Sequence, residues 1–305
     1  MIKNIEVSNI KDRKIKHEKI KVIAVDMDGT LLNNNHELDP KTYEVIRRAQ
    51  GQGIEFIIVT GRDFPSAVVP LEKYDLALNY IVASGAEIRS SDSTILDSTH
   101  MKKYHLVDIY NKLSHIPVMI RFCSDGRDYF IGNREMMIKG ILEEIKLFDM
   151  NESNESIMKS DLFKERVDRF CCIDSLDDLL DESIYVYKIY LSSDDVELIK
   201  KAEKLLRNMD DIAVASSFYN NLEITDINAQ KGIVLKEYIE QLGYSMSEVM
   251  VIGDSMNDYS MISMDFGLTV AMENGVDKVK DVAKYITKSN EDCGVAYAIE
   301  KFCEF

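Results

Sequence analysis

The chain has 305 residues, 46% of them hydrophobic, and carries 53 acidic against 37 basic side chains, which gives a formal net charge of −16 at pH 7. This length is sufficient for two domains, or for one large core with an insertion. Nucleic acids and anionic membranes bind to basic surfaces, so we expect neither as a partner of such an acidic protein.

The cysteines and the N-terminal residues indicate the compartment. The chain has five cysteines, an odd number, without the Cys-x-x-Cys spacing of a metal site, and this usage is typical of reduced thiols in the cytosol. The first twenty residues contain no continuous apolar segment of the kind found in signal peptides. No apolar run is long enough to span a bilayer. We therefore expect a cytoplasmic protein, and we take it to be a monomer or a weak homo-oligomer.

The first part of the chain predicts alternating strands and helices. Residues 1–19 are polar with scattered isoleucines and are expected to form an N-terminal extension. After them, short apolar runs rich in β-branched residues alternate with amphipathic stretches, one of which opens with the helix cap Asp39-Pro40. The predicted elements are strand 22–25, helix 40–50, strand 54–59, helix 65–73 and strand 80–83. Strands that alternate with helices in this way pair in parallel, with right-handed crossovers.

The middle of the chain, residues 89–223, is predicted to be a separate α+β domain inserted into the parallel sheet. Two strand-like runs flank Ser124-Asp125-Gly126-Arg127, a sequence typical of a hairpin turn. The elements expected in this domain are strands 118–122, 129–131, 185–191, 212–216 and 222–225, and helix 194–209. Residues 151–164 are polar and charged, and we expect them to form an exposed excursion.

From Gln230 the alternation of strands and helices resumes. The elements predicted here are helix 231–242, strand 249–252, helix 256–263, strand 267–270, helix 277–283, strand 285–287 and helix 294–302. We therefore predict an α/β fold, in which residues 20–88 and 224–305 form one core around a parallel sheet and residues 89–223 form the inserted domain.

Polar or reactive groups follow the ends of four of the predicted strands. They are Asp26 and Asp28 after the first strand, Thr60 and Gly61 after the second, Ser84 after the third, and Asp254, Asn257 and Asp258 after strand 249–252, with Lys231 at the start of a helix. Taken singly, each could be a turn residue, a helix cap or a solvated lysine. Ligands of an open parallel sheet bind at the carboxyl ends of its strands, so we expect these side chains to lie close together. Two neighbouring carboxylates repel each other unless a cation or a proton relieves them, and Asp26 and Asp28 therefore indicate a chemical function.

Four short motifs resemble those of the haloacid dehalogenase-like (HAD) superfamily of phosphotransferases. They are Asp26-Met27-Asp28-Gly29-Thr30-Leu31-Leu32, Thr60-Gly61-Arg62, Lys231-Gly232 and Gly253-Asp254-Ser255-Met256-Asn257-Asp258. The long insertion between the second motif and the lysine is similar to that of the Cof-type phosphatases, which carry a large α/β cap there. The resemblance covers residues 21–305 and implies a Rossmann-like core with an inserted α+β cap domain. Ser84-Gly85-Ala86 departs from the Asn-Gly-Ala that relatives often have at this position.

The resemblance implies a Mg²⁺-dependent phosphatase that hydrolyses small phosphorylated metabolites, most often sugar phosphates, through an aspartyl-phosphate intermediate. Asp26 would attack phosphorus, and Asp28 would protonate the leaving alcohol and then deprotonate the attacking water. Lys231 would offset the developing charge and keep Asp26 ionised.

The resemblance also implies the ligands of the metal and of the phosphoryl group. Mg²⁺ would be held by Asp26, by Asp254 and by the backbone carbonyl of Asp28, while Asp258 would support either the metal or Lys231. The phosphate ligands would be the hydroxyl of Thr60, the N–H of Gly61, the side chain of Asn257 and, as a weaker candidate, Arg62.

The inserted domain would then close over the sheet edge, exclude water and select the leaving group. Arg121, Arg127 and Lys188 are basic residues within its strand-like segments, and we assign none of them to the site. Two alternatives remain open at this point. One is a phosphomutase of the phosphomannomutase type, whose core and cap are related, and which would release an isomerised sugar phosphate. The other is a non-hydrolytic protein that binds a phosphorylated metabolite, which the intact Asp26 and Asp28 disfavour.

Overall fold

The computed structural model describes residues 18–146, 153–181 and 183–303. Most of the predicted N-terminal extension, 1–19, therefore lies outside the described residues. Within the described ranges, no helix is both long enough and apolar enough to cross a membrane.

The described residues form fourteen strands and eleven α-helices. The strands are β1 (Val22–Val25), β2 (Glu55–Val59), β3 (Asn79–Val82), β4 (Glu87–Arg89), β5 (Ile95–Ser98), β6 (Met119–Cys123), β7 (Asp128–Ile131), β8 (Phe170–Ile173), β9 (Lys188–Ser192), β10 (Ile212–Ala215), β11 (Asn221–Asp226), β12 (Val249–Gly253), β13 (Leu268–Ala271) and β14 (Tyr285–Ile286). The helices are α1 (Pro40–Gly51), α2 (Phe64–Val68), α3 (Lys103–Leu113), α4 (Arg134–Lys146), α5 (Asn154–Lys159), α6 (Asp161–Arg169), α7 (Val196–Leu206), α8 (Lys231–Gln241), α9 (Tyr259–Ile262), α10 (Asp277–Val282) and α11 (Gly294–Phe302).

The larger of two sheets has the strand order β14-β13-β12-β1-β2-β3-β4-β5. The strands from β14 to β3 are parallel, and β4 and β5 add an antiparallel hairpin at one edge. From β1 to β3 the chain moves towards one edge of the sheet, and from β12 to β14 it moves towards the other. The direction therefore changes between β1 and β12, and a crevice for ligands opens at the carboxyl ends of strands at such a switch point. The predicted α/β fold is confirmed.

Strand β1, next to this switch point, is buried on both faces. Ile23 and Val25 join an apolar cluster with α1 and α11, whereas Val22 and Ala24 join a second cluster with α8. All four side chains are fully buried. A strand that is covered on both faces carries a continuous apolar run rather than an alternating one, which is why the sequence predicts its bounds correctly.

The smaller sheet has the strand order β10-β11-β9-β6-β7-β8 and is antiparallel except for the pair β7 and β8. We call this sheet and its helices α3 to α7, residues 103–226, the cap. Side chains alternate between the two faces of a strand, and the face that carries Phe122, Ile189 and Ile224 packs with side chains of α3 and α7 into one apolar cluster. The opposite face packs against α4 to α6 at its β7–β8 edge, through Phe130 and Phe170, and is polar at its centre. Its central row consists of Arg121, Tyr190 and Glu223, which lie side by side on β6, β9 and β11.

Several element boundaries differ from the sequence prediction. The predicted helix 65–73 ends at Val68, because Pro70 has no N–H to donate to the carbonyl of Ser66. Residues 256–263 form a 3₁₀ turn, Met256–Asp258, followed by the short α9 rather than one helix. The strand predicted from residue 185 begins only at Lys188.

The expected exposed excursion at 151–164 is largely exposed in its described part, but it is helical and two of its side chains are buried. This part contains α5 and the start of α6, which are capped by the hydroxyls of Ser153 and Ser160. Ile157 and Phe163 are buried against α4. Each of these short helices contributes only one or two buried side chains, so the polar composition of the segment concealed its packing.

The chain does not pass from one sheet to the other at the predicted domain limits, residues 89 and 223. Strand β5 lies beyond residue 89 and pairs with the larger sheet, and β11 extends past residue 223 within the smaller sheet. The side chains of β5 are largely exposed, and an edge strand without a buried face gives no period-two pattern in the sequence.

Replacing Leu113 with alanine should destabilise the cap. Leu113 is fully buried at the end of α3, and the loss of such a leucine costs about 2–5 kcal/mol of unfolding free energy. Leu205 on α7 is 38% exposed, and Leu205→Ala should cost less than about 1 kcal/mol. The free energy of unfolding of both variants can be measured by urea denaturation, with hydrogen exchange of cap amides as the readout. Equal losses of this free energy would contradict the packing described for the cap.

Candidate active site

Strand pairing brings the predicted site residues to the crevice at the switch point. Asp26 directly follows β1, and its N–H bonds to the carbonyl of Ile252 in β12 at 3.0 Å. Asp254 directly follows β12, so the same pairing places both carboxylates at one edge. Thr60 directly follows β2, and its backbone N–H donates to the carbonyl of Ile81 in β3 at 2.8 Å.

Lys231 is the buried cation of the site. Its Nζ donates to Asp26 Oδ1 at 2.6 Å and to Asp258 Oδ1 at 2.6 Å, and its side chain is fully buried. Burial by itself would lower the pKa of Lys231, but the charges of Asp258 and Asp26 raise it above its ordinary value, so the lysine stays charged. A Cβ on Gly232 would collide with the backbone carbonyl of Ser260. A glycine after the lysine therefore lets the first turn of α8 pack closely enough to deliver Lys231.

Asp258 holds both Lys231 and the loop after β12. Its Oδ1 accepts from Lys231, and its Oδ2 accepts from the N–H groups of Asp254 and Ser255 at 2.9 and 3.0 Å. The side chain is fully buried. Because both oxygens already have donors, the geometry favours support of Lys231 among the two roles that the sequence left open for Asp258.

Three carboxylates, of Asp26, Asp254 and Asp258, each offer an oxygen within 4.8 Å of the other two. Burial, followed by repulsion from Asp258, raises the pKa of Asp26 well above its ordinary value and that of Asp254 to about 7. Three carboxylates share one lysine, so their full ionisation would leave negative charge that Lys231 does not balance. Thr30 donates its hydroxyl to Asp254 Oδ1 at 2.7 Å and fixes that side chain. Buried carboxylate oxygens with unbalanced charge fit Mg²⁺, with Asp26 and Asp254 as side-chain ligands.

The carboxylate of Asp28 has different partners. Arg62 donates to it twice, from Nε to Oδ2 at 2.7 Å and from Nη2 to Oδ1 at 2.6 Å, and His36 Nδ1 lies 3.1 Å from Oδ1. Burial opposes ionisation, but the hydrogen bonds from Arg62 and His36 dominate and hold the pKa of Asp28 well below its usual range. The pKa values of Asp26 and Asp28 are therefore shifted in opposite directions. The predicted metal contact of Asp28, through its backbone carbonyl, stays a prediction.

In the Thr60-Gly61-Arg62 loop, both polar groups of the Gly61–Arg62 peptide form hydrogen bonds. The N–H of Arg62 donates to Thr60 Oγ1 at 3.1 Å, and the carbonyl of Gly61 accepts from Nζ of the cap residue Lys188 at 2.6 Å. Thr60 is buried. One of the two acceptor positions of this hydroxyl is therefore occupied, and its own proton remains available to a ligand.

Ser84 and Asn257 complete the edge of the crevice. Ser84 lies at a φ of 65°, in the left-handed region, and its hydroxyl donates to the cap residue Glu223. The amide of Asn257 accepts from Ser255 Oγ at 2.7 Å, and its Nδ2 lies 3.5 Å from Glu223 Oε1. Two loops of the core are thus tied to one carboxylate of the cap.

The structure brings the predicted residues into two adjoining groups. Lys231 joins the acidic cluster around Asp26, whereas Arg62 pairs with Asp28. Sequence reasoning missed three further residues of the site: His36, Lys188 and Glu223. The last two stand among apolar residues in strand-like segments, a pattern that indicates a polar sheet face, whereas no sequence signal set His36 apart.

Comparisons with known proteins agree with this arrangement. A sequence model of the haloacid dehalogenase-like hydrolases matches residues 23–299. The chain is 28% identical to the 5-amino-6-(5-phospho-D-ribitylamino)uracil phosphatase YwtE of Bacillus subtilis, over 92% of this chain and 98% of that protein. It is 27% identical to the phosphatase YwpJ of the same organism, over 92% and 99% of the two chains.

Solved structures show the same fold. A haloacid dehalogenase-like hydrolase from B. subtilis superposes with a TM-score of 0.80 at 27% identity, over 92% of this chain and 99% of that one. The resemblance that the four sequence motifs indicate is therefore confirmed.

Replacing Gly29 with alanine should weaken Mg²⁺ binding. Gly29 has a φ of +79°, and a Cβ there would lie 2.7 Å from Asp254 Oδ2, so this ligand would have to move. Gly53 has the same φ of +79° with no atom within 4 Å of a Cβ, and Gly53→Ala is the matched control for backbone strain. We expect about a tenfold loss of Mg²⁺ affinity for Gly29→Ala alone, measured by isothermal titration calorimetry. Equal affinities in the two variants would exclude Asp254 as a ligand.

Proposed function

Since this chain belongs to the haloacid dehalogenase-like hydrolases, we propose that it is a Mg²⁺-dependent phosphatase that hydrolyses small phosphorylated metabolites through an aspartyl-phosphate intermediate. The observation that carries the proposal is the buried contact of 2.6 Å between Lys231 Nζ and Asp26 Oδ1 at the switch point of the sheet. A carboxylate held in place by a lysine, beside further carboxylates that fit a cation, can attack a phosphoryl group whose charge is offset.

Asp26 and Asp254 would hold the metal through their side chains, with the backbone carbonyl of Asp28 as the third protein ligand. When bound, Mg²⁺ offsets the negative charge that the phosphoryl group and its attacking carboxylate share. Lys231 and Asp258 keep the carboxylate of Asp26 oriented throughout, because the lysine bridges the two.

In the first step, a carboxylate oxygen of Asp26 forms a bond to phosphorus, and the bond between phosphorus and the leaving oxygen breaks. Asp28 donates its proton to that oxygen, so the product leaves as a neutral alcohol. Asp28 is ionised while Arg62 and His36 hold it. The negative charge of a bound phosphate ester beside it would raise the pKa of Asp28 and draw Arg62 away, which prepares it to carry the proton.

In the second step, water attacks the phosphorus of the aspartyl-phosphate, and Asp28 accepts a proton from that water. The bond between phosphorus and the Asp26 oxygen then breaks, which restores the free carboxylate and releases inorganic phosphate. Thr60 donates its hydroxyl to a phosphoryl oxygen, and Asn257 holds another through its amide. These donors are positioned before the reaction begins, which is how an active site stabilises charge in a transition state.

We further propose that the substrate carries its phosphate on a hydroxyl-rich chain, as sugar phosphates do. Two relatives from B. subtilis, YwtE and YcsE, are named as phosphatases of a compound with a phosphorylated ribityl chain. In this chain the polar face of the cap sheet supports such a leaving group. Nη1 of Arg121 on that face lies 3.8 Å from Asp128 and 3.6 Å from Glu144, and its buried Nε has no hydrogen-bond partner within the described residues. This Nε is the donor that we propose for a hydroxyl of the leaving group.

Replacing Asp26 with asparagine should abolish turnover, because an amide does not attack phosphorus. Purified protein with Mg²⁺ should release phosphate from para-nitrophenyl phosphate, and Asp26→Asn should lower kcat by about 10⁴-fold or more. Asp265→Asn, at a largely exposed carboxylate bonded to Lys284, is the matched control and should keep full activity. Turnover retained by Asp26→Asn, or unchanged after chelation of Mg²⁺, would refute this mechanism.

A hydroxyl-rich leaving group should be preferred over an aliphatic one of the same length. Hydrogen-bonding groups left unpaired by an apolar substrate cost binding free energy, so kcat/KM for ribitol 5-phosphate should exceed that for 1-pentyl phosphate by about 100-fold or more. Phosphate release measured for both esters checks this. Equal values would exclude recognition of the hydroxyls, and an isomerised phosphate ester in place of free phosphate would show a mutase.

A further inference from the structure

Two charged residues of the cap, Lys188 and Glu223, lie buried where the cap meets the core. Lys188 pairs with Thr225 of β11, and Glu223 is two residues away from Thr225 on the same strand, so both side chains project from the polar face of the cap sheet. Lys188 Nζ lies 2.9 Å from Glu223 Oε2. A buried ion pair needs further hydrogen bonds to offset its desolvation, and the core supplies them.

Together, the two residues contact three loops at the carboxyl ends of the core strands, and both contact Ser84. Lys188 Nζ donates to the carbonyl of Gly61 at 2.6 Å. Glu223 accepts from the hydroxyl of Ser84, and its Oε1 lies 3.5 Å from Nδ2 of Asn257. The approach is close, because a Cβ on Gly61 would lie 3.1 Å from Glu223 Oε2.

The contact at Gly61 acts on a peptide group that also holds Thr60. The carbonyl end of the Gly61–Arg62 peptide accepts from Lys188, and its N–H end donates to Thr60 Oγ1 at 3.1 Å. Hydrogen bonds that act through one peptide polarise and orient each other. A lysine of the cap therefore fixes the orientation of the peptide N–H that occupies one of the two acceptor positions of the Thr60 hydroxyl.

We propose that Lys188 and Glu223 are positioning residues, through which the docked cap orients the phosphate-binding loop Thr60-Gly61-Arg62. This inference rests on the proposed phosphatase function. Lys188 fixes the Gly61–Arg62 peptide, so that the proton of Thr60 points to a phosphoryl oxygen. Glu223 holds Lys188 in place and ties down Ser84 and Asn257. The phosphate-binding loop is thus fully ordered only while the cap lies on the core, which couples closure to the binding of phosphate.

Other polar contacts also join the cap to the core and do not involve this loop. Tyr187 Oη donates to Glu87 Oε2 at 2.7 Å, and Arg89 Nη2 donates to Asp125 Oδ1 at 3.2 Å. Tyr187 directly precedes Lys188 in the chain, so Tyr187→Phe removes a docking contact at nearly the same place. It is the control for a role of Lys188 in docking alone.

The test is a double-mutant cycle between Lys188→Met and Thr60→Val, with Tyr187→Phe as control. The readouts are the affinity for inorganic phosphate in the presence of Mg²⁺, by calorimetry, and kcat and KM for para-nitrophenyl phosphate. We expect Lys188→Met to weaken phosphate binding and to lower kcat by about 10-fold to 100-fold. In the Thr60→Val background the same change should have little further effect, because the hydroxyl that Lys188 orients is gone. Tyr187→Phe should keep kcat, and its effect should add to that of Thr60→Val.

A comparison of Lys188→Met with a double variant separates the loss of loop positioning from the effect of an unpaired buried charge. Lys188→Met alone leaves the buried carboxylate of Glu223 without its cation, which could repel a phosphate or destabilise the cap. Lys188→Met combined with Glu223→Gln removes both charges. If positioning is the cause, the double variant keeps the loss in phosphate affinity and in kcat. Recovery of both to the wild-type values would overturn the proposal and leave charge repulsion as the explanation.

The outcomes distinguish this inference from the phosphatase function on which it rests. If the wild-type protein hydrolyses esters but Lys188→Met behaves like Tyr187→Phe, or adds fully to Thr60→Val, the inference is overturned and the function stands. If the wild type hydrolyses none of the esters tested, the function fails. The calorimetric cycle with inorganic phosphate still decides whether Lys188 acts through Thr60.

Discussion

The rest of the site depends on the buried bridge that Lys231 makes between Asp26 and Asp258. An ammonium group and two carboxylates are costly to bury unless they satisfy one another, and here each contact is 2.6 Å long. The bridge fixes Asp26 at the end of β1 and, through Asp258, the loop after β12. Because these two strands flank the switch point, one lysine connects both halves of the core across the crevice.

Charge is distributed unevenly around that bridge, and the unevenness separates two aspartates that the sequence presents as a pair. Burial and the neighbouring carboxylates raise the pKa of Asp26, whereas hydrogen bonds from Arg62 and His36 lower the pKa of Asp28. Two identical side chains therefore meet opposite electrostatic environments. The roles proposed for the two aspartates therefore need ligands: bound Mg²⁺ would keep Asp26 ionised, and a bound phosphate ester would raise the pKa of Asp28 so that it can carry a proton.

The cap contributes a polar sheet face rather than a simple cover. One face packs against α3 and α7, and Lys188 and Glu223 on the opposite face contact the core. Lys188 and Glu223 engage three core loops, at Gly61, Ser84 and Asn257. The surface that we propose to recognise the leaving group therefore also contacts the Thr60-Gly61-Arg62 loop, which would link the choice of substrate to the assembly of the site.

The sequence by itself determined the parallel core, the positions of its buried strands and the residues at their carboxyl ends. Those features follow from local patterns: a strand buried on both faces reads as an apolar run, and the residue after it lies at the sheet edge. Only the tertiary structure decided which polar side chains meet. Arg62 contacts Asp28, Lys188 contacts Gly61 and Glu223 contacts Ser84 because separate segments pack together. No local pattern records the pairing of residues that lie far apart in the chain, nor the exposed edge strand β5, whose side chains bury no face.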